Sequence, residues 1–96
     1  MLKTDPNDSF LTYALALEYE KEGKDKEATQ IIEQLTKDDP KYLGAYYKLG
    51  QLYERADKMD EARSIYTYGI KLADEQKDNK AKGELEEALW LIEDVQ

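Results

Sequence analysis

The sequence lacks both cysteine and histidine in its 96 residues. The absence of cysteine excludes disulfides, thiolate nucleophiles and Cys-ligated zinc or iron–sulfur centres. The absence of histidine removes the base of a catalytic triad, the usual proton shuttle near neutral pH and the commonest transition-metal ligand. Because these two residue types carry much of enzyme chemistry, we expect a protein that is not an enzyme and that holds no cofactor and no metal.

Long apolar runs and positive charge are also scarce. No uninterrupted run of apolar or aromatic residues is longer than that of residues 13–17, whereas a membrane span needs about 20 residues. Acidic residues outnumber basic ones 22 to 14, which gives a net charge of −8. Such a surface repels phosphate backbones and anionic lipid headgroups. We therefore expect a cytoplasmic protein whose partners include no nucleic acid and no membrane.

Aromatic residues, by contrast, are plentiful. The chain has eight Tyr, one Phe and one Trp, and 41% of its residues are hydrophobic. Disordered segments are poor in aromatic residues, so this composition indicates a folded core even though 38% of the residues are charged. The length suffices for one small domain and no more. We expect a single domain over residues 1–96.

Two segments of the chain repeat at an interval of 34 residues. The pair Asp5-Pro6 recurs as Asp39-Pro40 at this interval. Four further pairs share it: Leu15 and Leu49, Ala16 and Gly50, Tyr19 and Tyr53, and Ala28 and Ala62. So many matches at one offset indicate a repeated supersecondary unit, which cannot bury its apolar face alone and stacks on its neighbours.

Within each repeat the apolar residues recur at helical spacing. In the first helix Leu11, Leu15 and Tyr19 lie four residues apart, which places them on one face. Asp8 or Ser9 is a suitable residue to cap the start of this helix, and Gly23 suits a left-handed residue at its end. The pattern predicts further helices over about 26–37, 41–56 and 60–73.

The repeat pattern breaks after Leu72. Residues 74–80 contain no apolar side chain, and we expect a polar loop there. An apolar stripe of helical spacing then returns in four residues: Leu85, Ala88, Leu89 and Ile92. Because the end of a repeat stack needs a cover over its apolar face, we expect a capping helix over about 82–95.

This pattern resembles the tetratricopeptide repeat (TPR) family, whose 34-residue motif prefers certain residue types at eight positions. From Leu43 onward the second repeat matches seven of them, with Tyr46, Leu49, Gly50, Tyr53, Ala62, Tyr66 and Gly69, and departs only at Asp74, where the family prefers Pro. From Ser9 onward the first repeat matches with Leu15, Ala16, Tyr19, Ala28, Ile32 and Pro40, and departs at Thr12 and Leu35.

The resemblance implies an all-α fold of TPR-like helix-turn-helix repeats, with two helix pairs and a C-terminal capping helix in a short right-handed solenoid. The repeats would occupy about 9–42 and 43–76. It also implies a role as a non-catalytic protein–protein interaction module, since the common property of the family is to hold protein contacts.

In TPR-like stacks the first helix of each unit lines a concave groove. Carried onto this chain, a peptide groove would be formed by Phe10, Tyr13, Leu17, Tyr47, Gln51, Glu54, Arg55 and Trp90. Exposed aromatic anchors with a polar rim are typical of binding interfaces. We expect Trp90 to be partly buried near Tyr47 and Gln51, and three rim carboxylates to favour a ligand with Lys or Arg: Glu20, Glu54 and Glu93.

Three alternatives remain open for these apolar groove positions. They bind a peptide or protein segment, or the capping helix folds into the groove and buries them. Alternatively, the module self-associates, as a homodimer or with other TPR units. The family's carboxylate clamp for chaperone tails is absent, because its Lys and Asn positions hold Tyr13, Leu17 and Lys48.

Overall fold

The computed structural model describes the backbone of residues 6–94 and the side chains of residues 9–93. Within these limits the chain forms five α-helices and no strand, in the order α1 Pro6–Lys21, α2 Asp25–Asp38, α3 Leu43–Arg55, α4 Met59–Glu75 and α5 Asn79–Asp94. Each helix packs on the next one along the chain, and α5 also contacts α3. The predicted all-α fold of helix-turn-helix repeats is confirmed. None of the helices in this part of the chain is long and apolar enough to cross a membrane.

Two local expectations differ from the structure. The polar segment after the fourth helix is shorter than the predicted loop, because α4 continues to Glu75 and α5 already begins at Asn79. Ser9 is not a cap, since α1 begins at Pro6; its hydroxyl instead donates a hydrogen bond of 2.6 Å to Asp39 in the link to α3. The side chain of Asp8, the other expected cap, lies outside the described residues.

The same tight turn joins α1 to α2, α3 to α4 and α4 to α5. Each turn has one residue with a positive φ, namely Gly23 (82°), Asp57 (63°) and Lys77 (60°). The amide that follows this residue donates to the carbonyl five positions earlier, as from Lys58 to Tyr53 at 2.8 Å. This bond is the one that closes a helix end in a Schellman motif. The helix pairs themselves are joined by a different, longer link, residues 39–42.

The core consists of two clusters of buried apolar side chains on either side of α3. The first joins α1 and α2 to α3 and contains Ala16, Ala28, Ile32, Leu35, Ala45, Leu49 and Leu52. The second joins α4 and α5 and contains Ala62, Tyr66, Ala73, Leu85 and Ile92. Tyr53 packs against both clusters. The core is therefore continuous from one helix pair to the next, as a stacked repeat requires.

Gly50 of α3 packs directly against the Tyr66 ring of α4. A Cβ atom at Gly50 would lie 2.2 Å from Cε1 and 2.5 Å from Cζ of the Tyr66 ring. The ring is fully buried, and its hydroxyl donates a hydrogen bond to Glu54, so a shift of the ring would disrupt both its packing and this bond. In the first repeat the same two positions hold Ala16, which is larger than Gly50, and Ile32, which is smaller than Tyr66.

We expect Gly50→Ala to destabilise the protein even though alanine favours helices. Overpacking against the Tyr66 ring should lower the free energy of unfolding by about 1–3 kcal/mol. Gly83→Ala is the matched control, because a Cβ there meets nothing within 4 Å; it should raise the free energy of unfolding by about 0.5–1 kcal/mol. Urea unfolding followed by circular dichroism measures both. Stabilisation by both substitutions would contradict the close approach.

Candidate interaction site

A cleft of about 260 Å³ lies between α3 and α5. Its α3 wall is formed by Tyr47, Gln51, Glu54 and Arg55, and its α5 wall by Glu84, Glu87, Ala88 and Leu91. Tyr66 of α4 also lines it. We call this the α3–α5 cleft. The residues of each wall are three or four positions apart, so each set occupies one face of its helix.

The α3–α5 cleft contains four of the eight predicted groove residues. Sequence reasoning missed the five others that line it. The remaining predicted residues are Phe10, Tyr13 and Leu17 on α1 and Trp90 on α5, and none of these four lines the cleft. Half of the predicted groove residues, on α1 and α5, thus lie outside the α3–α5 cleft.

Two tyrosines line the cleft, the partly exposed Tyr47 and the buried Tyr66. The ring centroids of Tyr47 and Tyr66 are 6.4 Å apart and the rings are tilted by 47°. Burial raises the pKa of Tyr66, and the hydrogen bond to Glu54 raises it further. The Tyr66 phenol is consequently protonated at neutral pH and holds the Glu54 carboxylate at the edge of the cleft.

The only cation among the residues that line the cleft is Arg55, and its guanidinium forms ion pairs with carboxylates that lie outside the cleft. The guanidinium contacts the carboxylate of Glu20, and its Nε lies 2.9 Å from Oδ2 of Asp25. Glu20 also pairs with Lys48 at 3.0 Å. Burial alone would raise the pKa of Glu20, but the hydrogen bonds from Arg55 and Lys48 and their charges outweigh it and lower that pKa.

On α1 the predicted groove residues have separate environments. The ring of Tyr13 packs against Tyr42 of the inter-repeat link, with centroids 5.7 Å apart. Burial raises the pKa of Tyr13, and the nearby Tyr42, Glu20 and Tyr47 add to the increase. Leu17 is half-buried, whereas Phe10 is 62% exposed. Tyr13 therefore lies at the α1 side of Tyr47, and Phe10 points to solvent.

The expected placement of Trp90 is wrong. Its side chain is 60% exposed, and the next residue, Leu91, lines the cleft instead. The reason is the turn before α5. The helix α5 follows α4 through the tight turn at Lys77, which the chain otherwise uses inside a repeat. One position along a helix changes the direction of a side chain by about 100°.

The rim carboxylates also differ from the expectation. Glu54 lines the cleft as predicted. Glu20 is paired with Lys48 and Arg55, and Glu93 is exposed on α5 outside the cleft. The other two carboxylates that line the cleft are those of Glu84 and Glu87, which were not predicted. They could have been found from the sequence only if the register of α5 had been known.

The chain matches no protein-family model and no curated protein. Two solved structures, however, resemble its helical-repeat fold closely. A crystal structure of a tetratricopeptide repeat domain protein from Salinibacter ruber is 40% identical, covers 92% of this chain and 98% of its own, and superposes with a TM-score of 0.87. A solution NMR structure of a tetratricopeptide repeat domain protein from the same organism is 41% identical, with coverage of 97% and 94% and a TM-score of 0.90.

With its all-helical repeat fold and an open cleft, the chain has the architecture of a helical-repeat scaffold. At this identity and coverage the chain belongs to the tetratricopeptide repeat family. Membership confirms the resemblance found in the sequence, and it supports a role in protein interaction in the general sense that applies to the family.

We expect Glu20→Gln to lower the free energy of unfolding near pH 7. The pKa of Glu20 is lowered in the folded state, so its ionised form stabilises the fold above the unfolded value, which is 4.5. That contribution is lost as the pH falls through the folded pKa. The difference between wild type and variant should therefore shrink below about pH 4.5.

Urea unfolding at a series of pH values measures this difference. Glu22→Gln serves as the control, because Glu22 makes only an exposed ion pair with Lys24 and should matter little. A gap between wild type and Glu20→Gln that is independent of pH would contradict the role of the Glu20 charge.

Proposed function

We propose that this protein is a non-catalytic interaction module that binds an extended segment of a partner protein in the α3–α5 cleft. The observation that carries the proposal is Leu91, a large apolar side chain that is 51% exposed and lines the same cleft as the ring of Tyr47. Exposed apolar and aromatic side chains within a polar rim are what protein interfaces use as anchors.

The dimensions of the cleft support a peptide rather than a small molecule. Its volume is about 260 Å³, below the roughly 300–1,000 Å³ of typical small-molecule sites. Such a space accepts one or two side chains of a segment that continues along the surface. The half-buried Tyr13 beside Tyr47 extends the surface toward α1.

Selection from a random peptide display library tests this proposal. Leu91→Ala should weaken the selected peptides at least about fivefold, since an interface anchor contributes about 1 kcal/mol or more. Trp90→Ala is the matched control: Trp90 is adjacent and also exposed, at 60% against 51% for Leu91, but does not line the cleft. Circular dichroism confirms that both variants fold. Failure to select any peptide, or equal loss with Trp90→Ala, would contradict the proposal.

We propose self-association through α1 as a second function, on the strength of one specific observation. Leu11 and Leu15 are 61% and 50% exposed, whereas their counterparts one repeat later, Ala45 and Leu49, are buried against the first helix pair. Among the described residues nothing covers this face of α1. Glu18, which stands where the second repeat has the buried Leu52, limits the apolar area to the first turns.

Sedimentation equilibrium at two protein concentrations tests the second function. We expect an average mass that rises with concentration and returns to the monomer value in Leu15→Glu, because a charge at the centre of an apolar contact is desolvated without a partner. Trp90→Glu adds the same charge at an exposed site on α5 and should leave the mass unchanged. A monomer at both concentrations excludes self-association.

A further inference from the structure

The α3–α5 cleft combines an apolar surface with an excess of negative charge. We propose that the segment it binds presents a lysine or arginine side chain to the cleft beside an apolar residue. This inference rests on the proposed function, because it specifies the chemistry of the same ligand. It is carried by the charges and the apolar surfaces of the residues that line the cleft.

Three carboxylates line the cleft and have no cationic partner there. Glu54 accepts a hydrogen bond from the neutral phenol of Tyr66, which leaves its charge in place. Glu84 and Glu87 lie on the opposite wall. Within the side chains that the structure describes, no Lys or Arg nitrogen lies within 4 Å of these three carboxylates.

The basic side chains of Arg55 and Lys82 form ion pairs with carboxylates outside the cleft. Arg55 lines the cleft, but its guanidinium is held by two carboxylates at the junction of α1 and α2, Glu20 and Asp25. On α5 the ammonium of Lys82 lies 2.9 Å from Oδ1 of Asp74. The charges of Arg55 and Lys82 are thus paired with carboxylates outside the cleft, and the residues that line the cleft keep a net negative charge.

The apolar surface of the cleft fits the stem of a long basic side chain. Lysine and arginine bury their methylene stem against apolar atoms while the charged head stays near water or a carboxylate. Ala88 and Leu91 offer such atoms one and two helical turns beyond Glu84. The ring of Tyr47 on the other wall adds an aromatic face, which attracts a cation electrostatically.

A peptide cation fits this arrangement better than a metal ion or an acidic segment. Nowhere in residues 9–93 do three or more metal-binding side chains converge to hold a metal ion, so the carboxylates are spread along the cleft. An acidic segment would meet three like charges, which costs binding energy. The net charge of −8 also attracts a basic partner during the diffusional encounter.

Three capped five-residue peptides test the inference. In each, two leucines alternate with three lysines, three glutamines or three glutamates. Fluorescence anisotropy measures their affinities, and amide chemical shifts of Tyr47, Gln51 and Leu91 report whether they occupy the cleft. We expect the lysine peptide to bind about tenfold more tightly than the glutamine peptide, and the glutamate peptide more weakly than both.

Paired variants with equal net charge identify the carboxylates responsible. Glu84→Gln with Glu87→Gln, which leaves only Glu54 in the cleft, should remove most of the preference for the lysine peptide. Glu86→Gln with Glu93→Gln changes the net charge of α5 equally, but at exposed positions outside the cleft, and should keep the preference. All four residues are exposed, so neither pair threatens the fold.

The outcomes separate this inference from the proposed function. If the lysine and glutamine peptides occupy the cleft with equal affinity, or if the preference survives Glu84→Gln with Glu87→Gln, the inference is overturned and peptide binding in the cleft stands. If none of the three peptides, nor any peptide from the display selection, shifts the resonances of Tyr47, Gln51 and Leu91, both are overturned.

Discussion

The geometry of the second helix pair depends on the absence of a side chain at Gly50. The bare backbone there lets the Tyr66 ring pack between α3 and α4, and the ring then presents its hydroxyl to Glu54. A second small residue, Gly69 on α4, has the same effect toward α5: a Cβ there would lie 3.1 Å from Leu85. Since α3 and α5 both pack on α4, these two glycines lie where the helices that form the walls of the cleft are held on α4.

The repeat architecture could be predicted because the same volumes recur at the same interval. Ala28 and Ala62, which match at the 34-residue interval, are both completely buried. The structure adds that volume is conserved for the pair and not for each residue, since Ala16 with Ile32 in one repeat corresponds to Gly50 with Tyr66 in the next. A 34-residue pattern of size and spacing therefore predicts the helix pairs even where the residues differ.

The register of α5 could not be predicted, because the turn that determines it has no recognisable sequence. Gly23 indicates a left-handed residue in the sequence, and Asp57 is of a type that tolerates this conformation, but Lys77 adopts it with a side chain that disfavours it. Lys77 stands within a polar run without any glycine before Gly83. The apolar stripe of α5 indicates which residues face the core, and Leu85 and Ile92 do so. It does not distinguish Trp90 from Leu91 at the flank of that stripe.

The acidic excess and the tyrosine content of the chain are connected. Two of the tyrosines link neighbouring helices through carboxylates: Tyr53 donates to Glu33 of α2 at 2.6 Å, and Tyr66 donates to Glu54. Burial, followed by the hydrogen bond to the carboxylate, raises the pKa of both phenols, so they remain protonated donors at neutral pH. A phenol satisfies a carboxylate without neutralising it, whereas Lys or Arg would cancel its charge. Helices joined in this way keep their negative charge, and at Glu54 that charge lies in the cleft, where the proposed basic segment would meet it.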